Sequence, residues 1–178
     1  MAQLIRYQKE IPALFRTNQI LLGTNLFGAK YGIIGTDHDG FHEWKAKPEE
    51  KLPDLSKHST IIEMRKLGLL EDTDLPHAPA QQDVTIAALF NKRNFLDIIR
   101  NFTVFESGDG KVKKKICRYQ QFAAVQKLAA RVLTEKDKKG IIWHWQGSGK
   151  SLTMLFAALK LRREDVKLKN PYFLVVTD

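Results

Sequence analysis

Cysteine is almost missing from this sequence. Cys117 stands alone among 178 residues, so no disulfide can close within the chain, and a reducing cytoplasm is the expected setting. Histidine is scarce too, with five in all, and no His/Cys cluster has the spacing of metal ligands. No uninterrupted apolar stretch approaches the roughly 20 residues of a membrane span. The amino-terminal AQLIRYQKEIPALF lacks the apolar run of a signal peptide. These absences set aside membrane-spanning and disulfide-stapled classes. There is also no internal repeat and no low-complexity tract.

What is present looks globular. With 43% hydrophobic and 28% charged residues, the chain has the makings of one large domain or of two small or partial ones. The excess of 29 Lys and Arg over 20 Asp and Glu leaves a net charge of +9, which suits a polyanionic partner such as nucleic acid. The lysines are spread along the whole chain, however, and do not mark one patch. Residues 1–18 have a helical pattern with Leu4, Ile5, Ile11, Leu14 and Phe15 as candidate buried positions and a bend at Pro12. Two strands, 19–24 and 30–35, flank a turn at Asn25 to Gly28. Thr60 and Glu63 form a capping-box signature for a short helix, and GLLEDTDLPHAPAQQD is an irregular stretch suited to a domain boundary. From Val84 on, the pattern predicts one or two helices, a strand–turn–strand over TVFE, SGDG and KVKKKI, and a long helix with an apolar face through Phe122, Val125, Leu128, Ala129 and Val132. GIIWHW and YFLVVTD read as buried strands on either side of a loop and helix, a parallel α/β unit, with Trp143 and Trp145 in the core or at its rim.

The loop itself is HWQGSGKS, His144 to Ser151. Gly147 and Gly149 have no side chain to keep the backbone away from phosphate oxygens, so the N–H groups can point inward around them. The helix beginning near Lys150 brings the positive end of its dipole. Lys150 is placed to reach the β- and γ-phosphates, and Ser151 to put its hydroxyl on Mg²⁺. His144 breaks the strict GxxxxGK(S/T) pattern at its first position. A Gly-rich turn opening an ordinary helix is the plain alternative.

WHWQGSGKSLTM resembles the motor motif of the restriction subunit of type I restriction–modification enzymes, helicase-type motors of the second superfamily in which His followed by xQGSGKS is usual. RYQQFAA, 29 residues before Lys150 counted from Gln121, resembles the adenine-reading Q motif of the same motors through Arg118, Gln121 and Ala124. A Gln amide both donates and accepts, as reading a base edge requires. The resemblance implies that Arg118, Gln121, His144, Gln146, Gly147, Ser148, Gly149, Lys150 and Ser151 hold ATP, with Mg on the Ser151 hydroxyl. It also implies a role for Thr177 and Asp178 at the start of a loop contacting the DNA backbone. In QLIRY, Gln3 and Tyr7 stand one helical turn apart and share a face. They resemble the QxxxY helix of RecB-like nuclease domains, thought to position DNA or the catalytic centre.

Glu43-Trp44-Lys45 is a literal (D/E)xK, with Asp37 and Asp39 just upstream. In the family the nuclease carboxylates precede the QxxxY helix, so these residues are not expected to form the Mg²⁺ site. Lys45 facing the motor's nucleotide is an alternative. Lys111, Lys113 and Lys115 share one strand face, where a DNA-backbone contact competes with protection of a solvated edge.

The resemblance implies an α/β fold: residues 1–80 as the C-terminal half of a RecB-like nuclease domain, and 81–178 as the first part of a RecA-like parallel-sheet motor. It implies ATP-dependent translocation on double-stranded DNA coupled to double-strand cleavage, within a complex holding methylation and specificity subunits, and no membrane. The Asp-Glu motif, the arginine finger and the nuclease acids are expected outside these 178 residues, so the chain alone is expected to be inactive. A small phosphotransferase using the same loop and a non-catalytic DNA-binding module remain as rivals.

Overall fold

The computed structural model describes residues 1–25, 28–45, 66–68, 81–108, 110–134, 139–164, 168 and 170–176. It divides into two compact units, Met1–Gly32 with Thr36–Phe95, and Ile33–Gly35 with Leu96–Asp178.

In the first unit, helix α1 (Ala2–Glu10) stops before Pro12, which has no N–H to continue the ladder and instead opens a 3-10 turn, Pro12–Phe15. Phe15, Leu21 and Phe41 form a buried cluster against which Met1, Leu4, Ile5 and Tyr7 pack. Ile11 and Leu14, expected inside, are exposed, because the 3-10 turn changes the angular spacing that put them on the same face. Strand β1 (Leu21–Thr24) pairs antiparallel with β2 (Ala29–Gly32), Leu21 opposite Gly32 and Thr24 opposite Ala29. Asn25 holds the turn: its Oδ1 accepts from the Gly28 N–H at 2.6 Å, and its own N–H donates to the Gly28 carbonyl at 2.9 Å. Tyr31 bridges onward to His42 through a reciprocal pair of backbone bonds of 2.8 and 2.9 Å. Its ring meets the edge of the buried Trp44 at 5.7 Å. Gly32 lets the Phe41 ring approach, since a Cβ there would sit 2.9 Å from it. Helix α2 (Gln81–Leu89) is tied to this core by Gln81, whose Nε2 donates to the Trp44 carbonyl at 2.6 Å. The capping signature at Thr60 and Glu63 lies outside the described residues.

Helix α3 (Lys92–Asn101) leads into the second unit. There β3 (Thr103–Gly108) pairs antiparallel with β4 (Lys111–Ile116), Thr103 opposite Ile116, around a turn in which Gly110 adopts φ +69°. The expected strand–turn–strand is therefore formed. Helix α4 (Tyr119–Thr134) and helix α5 (Lys150–Arg163) pack on each other through Phe122, Val125, Phe156 and Phe102, with ring centroids 4.9 Å apart for Phe102–Phe122 and 5.7 Å for Phe102–Phe156. Of the predicted α4 face, Phe122, Val125 and Ala129 are buried and Leu128 is half-buried, whereas Val132 is exposed near the helix end.

The described sheets are two antiparallel hairpins, and the predicted parallel unit is not formed among the described residues. Residues 141–145 and 171–176 pair with no strand there and lie on the surface: Ile141 is 96% exposed, Trp143 79%, Tyr172 99% and Leu174 91%. Trp143 and Trp145 are accordingly not core residues. The physical reason is that a buried strand needs a ladder partner on its edges and a layer over each face. An apolar run alone supplies neither. Among the described residues, no helix is long and apolar enough to cross a membrane.

Cys117 is fully buried, and burial pushes its thiol far above the ordinary range, with Asp97 adding a smaller push in the same direction. A thiolate is the reactive form. The folded chain should therefore leave Ellman's reagent unreacted at pH 8 over the time in which the unfolded chain in denaturant releases one equivalent.

Candidate phosphate-binding site

The loop preceding α5 is built by two left-handed glycines. Gly147 has φ +76°, and Gly149, the N-cap of α5, has φ +80° and ψ +42°. Between them the Ser148 N–H turns back to the Trp145 carbonyl at 3.3 Å. An N-terminal helix residue has no carbonyl one turn earlier inside the helix, so the N–H groups of Lys150, Ser151 and Leu152 have no intrahelical acceptor. The first such bond is Thr153 N–H to the Gly149 carbonyl, 3.0 Å, seconded by the Thr153 hydroxyl at 3.2 Å. A positive-φ residue followed by helix-start N–H groups is an anion cradle, and the helix dipole adds to it. The side chains of Lys150 and Ser151 are exposed beside it. His144 is half-buried and Gln146 exposed. Ser148 is buried, and no hydrogen-bond partner is found for its hydroxyl among the described residues.

Behind the loop stands Gln121. Its Oε1 accepts the Arg118 N–H at 2.8 Å, and its Nε2 donates to the Gly149 carbonyl at 3.0 Å and the Ser148 carbonyl at 3.4 Å. The Phe122 N–H bonds the Arg118 carbonyl, making Arg118 the N-cap and Gln121 the third helical residue of α4. The reach from Gln121 back to the N-cap N–H is thus half of a capping box. The structure therefore brings Arg118 and Gln121 together with Ser148 and Gly149, and it uses both ends of the Gln121 amide inside the chain. The base-reading role that the resemblance implies for Gln121 draws on the same donor and acceptor that the cap and the loop engage. The spacing Arg-x-x-Gln at a helix start was the signal for the cap. Gly149→Ala tests how tight the arrangement is. The new Cβ would lie 2.5 Å from Gln121 Nε2 at a backbone angle that disfavours any side chain. A loss of about 1–2 kcal/mol in a denaturant melt is expected.

Gln3, Tyr7, Glu43 and Lys45 belong to the first unit, and the loop to the second. Gln3 Nε2 donates to the Tyr7 hydroxyl at 2.6 Å, so the two share a face of α1 as the spacing requires. Trp44 is buried between Glu43 and Lys45, both exposed. Among the described residues no group of three or more His, Cys, Asp or Glu could hold a metal ion, Asp37, Asp39 and Glu43 included. On β4, Lys115 pairs with Glu106 across the hairpin at 2.7 Å, while Lys113 is exposed. Burial lowers the pKa of their neighbour Lys114. Thr177 and Asp178 lie outside the described residues.

Residues 120–178, from α4 through the loop and α5, match the SWI2/SNF2 ATPase family model. Over 97% of its length the chain is 33% identical to the type I restriction enzyme HindI endonuclease subunit of Haemophilus influenzae. Over 96% it is 30% identical to the putative type I restriction enzyme MjaIXP endonuclease subunit of Methanocaldococcus jannaschii, and over 99% it is 29% identical to the putative MjaVIIIP subunit of that organism. The chain spans 15%, 16% and 15% of the lengths of these three relatives. No solved structure matches it.

Proposed function

This chain belongs with the endonuclease subunits of type I restriction enzymes, and from that premise we propose that it carries the nucleotide-phosphate site of an ATP-driven DNA-translocating restriction motor. The observation that supports this best is the cradle at the start of α5: left-handed Gly149 followed by Lys150 and Ser151, with N–H groups that the helix leaves without acceptors.

The donor set fits a polyphosphate. Backbone N–H groups around Gly147 and Gly149 would hold the inner phosphates, and Lys150, exposed and mobile on its four-carbon stem, would neutralise the outer ones. Ser151 would offer its hydroxyl to the Mg²⁺ that accompanies the nucleotide and neutralises its charge. His144 and Gln146 flank the entry to the loop. ATP, when bound, supplies the phosphoanhydride whose cleavage drives movement along DNA. The rest of the reading is that the 1–80 region is the tail of a RecB-like nuclease domain and 81–178 the opening of a RecA-like motor. Gln3 and Tyr7 then help position DNA for double-strand cleavage, and methylation and specificity subunits complete the assembly. The Gln3–Tyr7 contact across one turn of α1 supports the pairing of these two side chains.

Calorimetric titration of the chain with ATP and Mg²⁺ tests the proposal. Saturable binding that inorganic tripolyphosphate competes away is the expected result, and a flat titration removes the reading. A phosphotransferase finds no support in the family matches, and the Lys150→Ala substitution separates the DNA-binding module from the motor.

A further inference from the structure

We infer that Gln121 is a positioning residue for the phosphate loop and does not read the base while it holds the loop. The inference rests on the phosphate-site reading above and extends it. Gln121 is 2% exposed, and its amide is spent at both ends: Oε1 on the Arg118 N–H at 2.8 Å, Nε2 on the carbonyls of Gly149 and Ser148 at 3.0 and 3.4 Å. Reading adenine would require the same donor and the same acceptor.

The bonds to the two carbonyls have a directional consequence. All described peptide bonds are trans, so in each peptide plane the carbonyl and the following N–H point in opposite directions. Drawing the Ser148 carbonyl toward Gln121 turns the Gly149 N–H away from it. Drawing the Gly149 carbonyl the same way turns away the Lys150 N–H. Those two N–H groups belong to the anion cradle. Gln121 thus orients the loop's donors from behind, while its own oxygen is fixed by the N-cap of α4. Gly149 is required for this approach as well as for its φ, because a Cβ there would meet Gln121 Nε2 at 2.5 Å. Preorganised donors bind an anion more tightly because they are not reoriented at the moment of binding.

The inference makes a base-independent prediction. In calorimetry with the 178-residue chain, Gln121→Met keeps the side-chain length and removes both polar ends. It should lower affinity for ATP, GTP and inorganic tripolyphosphate by the same factor, about tenfold for the lost orienting bonds. A loss confined to ATP, with GTP and tripolyphosphate unchanged, makes Gln121 a base reader and overturns the inference. So does an unchanged affinity for all three. If circular dichroism shows Gln121→Met unfolded, Gln121→Asn replaces it. That side chain is one methylene too short to reach the loop, and it is judged by the same three ligands and the same criteria. Binding by the parent chain that is absent, or indifferent to Lys150→Ala, removes the phosphate-site reading and this inference together. The three-ligand comparison removes the inference alone.

Discussion

Lys150→Ala should weaken ATP binding by about tenfold to a hundredfold, the worth of a charge-assisted bond to phosphate of roughly 1.5–3 kcal/mol. The same substitution should leave folding stability within about 0.5 kcal/mol of the parent, because Lys150 is exposed and its side chain makes no hydrogen bond or ion pair among the described residues. The comparison that gives this force is Lys113→Ala. It removes the same unit of charge from an exposed position on β4. If affinity for ATP depended only on the net charge of +9, the two variants would lose it equally. A site-specific role predicts that only Lys150→Ala loses it. The rival reading as a DNA-binding module is exposed by the same pair. It predicts salt-dependent DNA binding indifferent to Lys150 and an ATP affinity that neither substitution changes.

Asp97→Ala should be the most damaging single substitution to stability, at about 3–5 kcal/mol in a urea melt. Asp97 sits in α3 and gathers three partners. Its Oδ2 accepts from Lys160 Nζ at 2.7 Å and Gln126 Nε2 at 2.5 Å, and its Oδ1 from Asn101 Nδ2 at 2.7 Å. The side chains of Lys160 and Asp97 are only 9% and 13% exposed. Removing the carboxylate strands an ammonium in this setting, with Glu164 at 3.8 Å and the Phe102 ring at 5.9 Å as weak substitutes. The neutral pair Asp97→Leu with Lys160→Met should recover most of the loss, since it leaves no uncompensated charge. A loss below about 1 kcal/mol for Asp97→Ala would show that Lys160 reaches water after all. The consequence extends to the proposed site, because Lys160 lies in α5, the helix whose first turn is the proposed phosphate cradle, and Gln126 lies in α4, which carries Gln121.

Local rules account for what could be read from the residues. Pro12 ending α1, the Asn25 turn, the hairpin around Gly110 and the long α4 helix each depend on a few adjacent residues and their own backbone preferences. The cradle was legible for the same reason: two glycines, a helix start and a Lys-Ser pair fall within five residues. The failures have one cause as well. Ile11 and Leu14 are expected inside from a helical spacing that the 3-10 turn breaks, and Trp143 and Trp145 in the core or at its rim because they are apolar, yet apolarity says only that burial is favourable if a partner surface arrives. The strands expected at 141–145 and 171–176 required ladder partners that no local pattern can provide.

Sequence by itself determined the kinship of this chain, its hairpins and helices, and the glycine loop that opens α5, since each is written in neighbouring residues or in their order. Only the tertiary structure decided that the Gln121 amide faces the loop and that Asp97 neutralises Lys160. Those contacts join residues 28 and 63 positions apart. Which of many possible polar partners a side chain meets over such a separation is settled by how the helices pack.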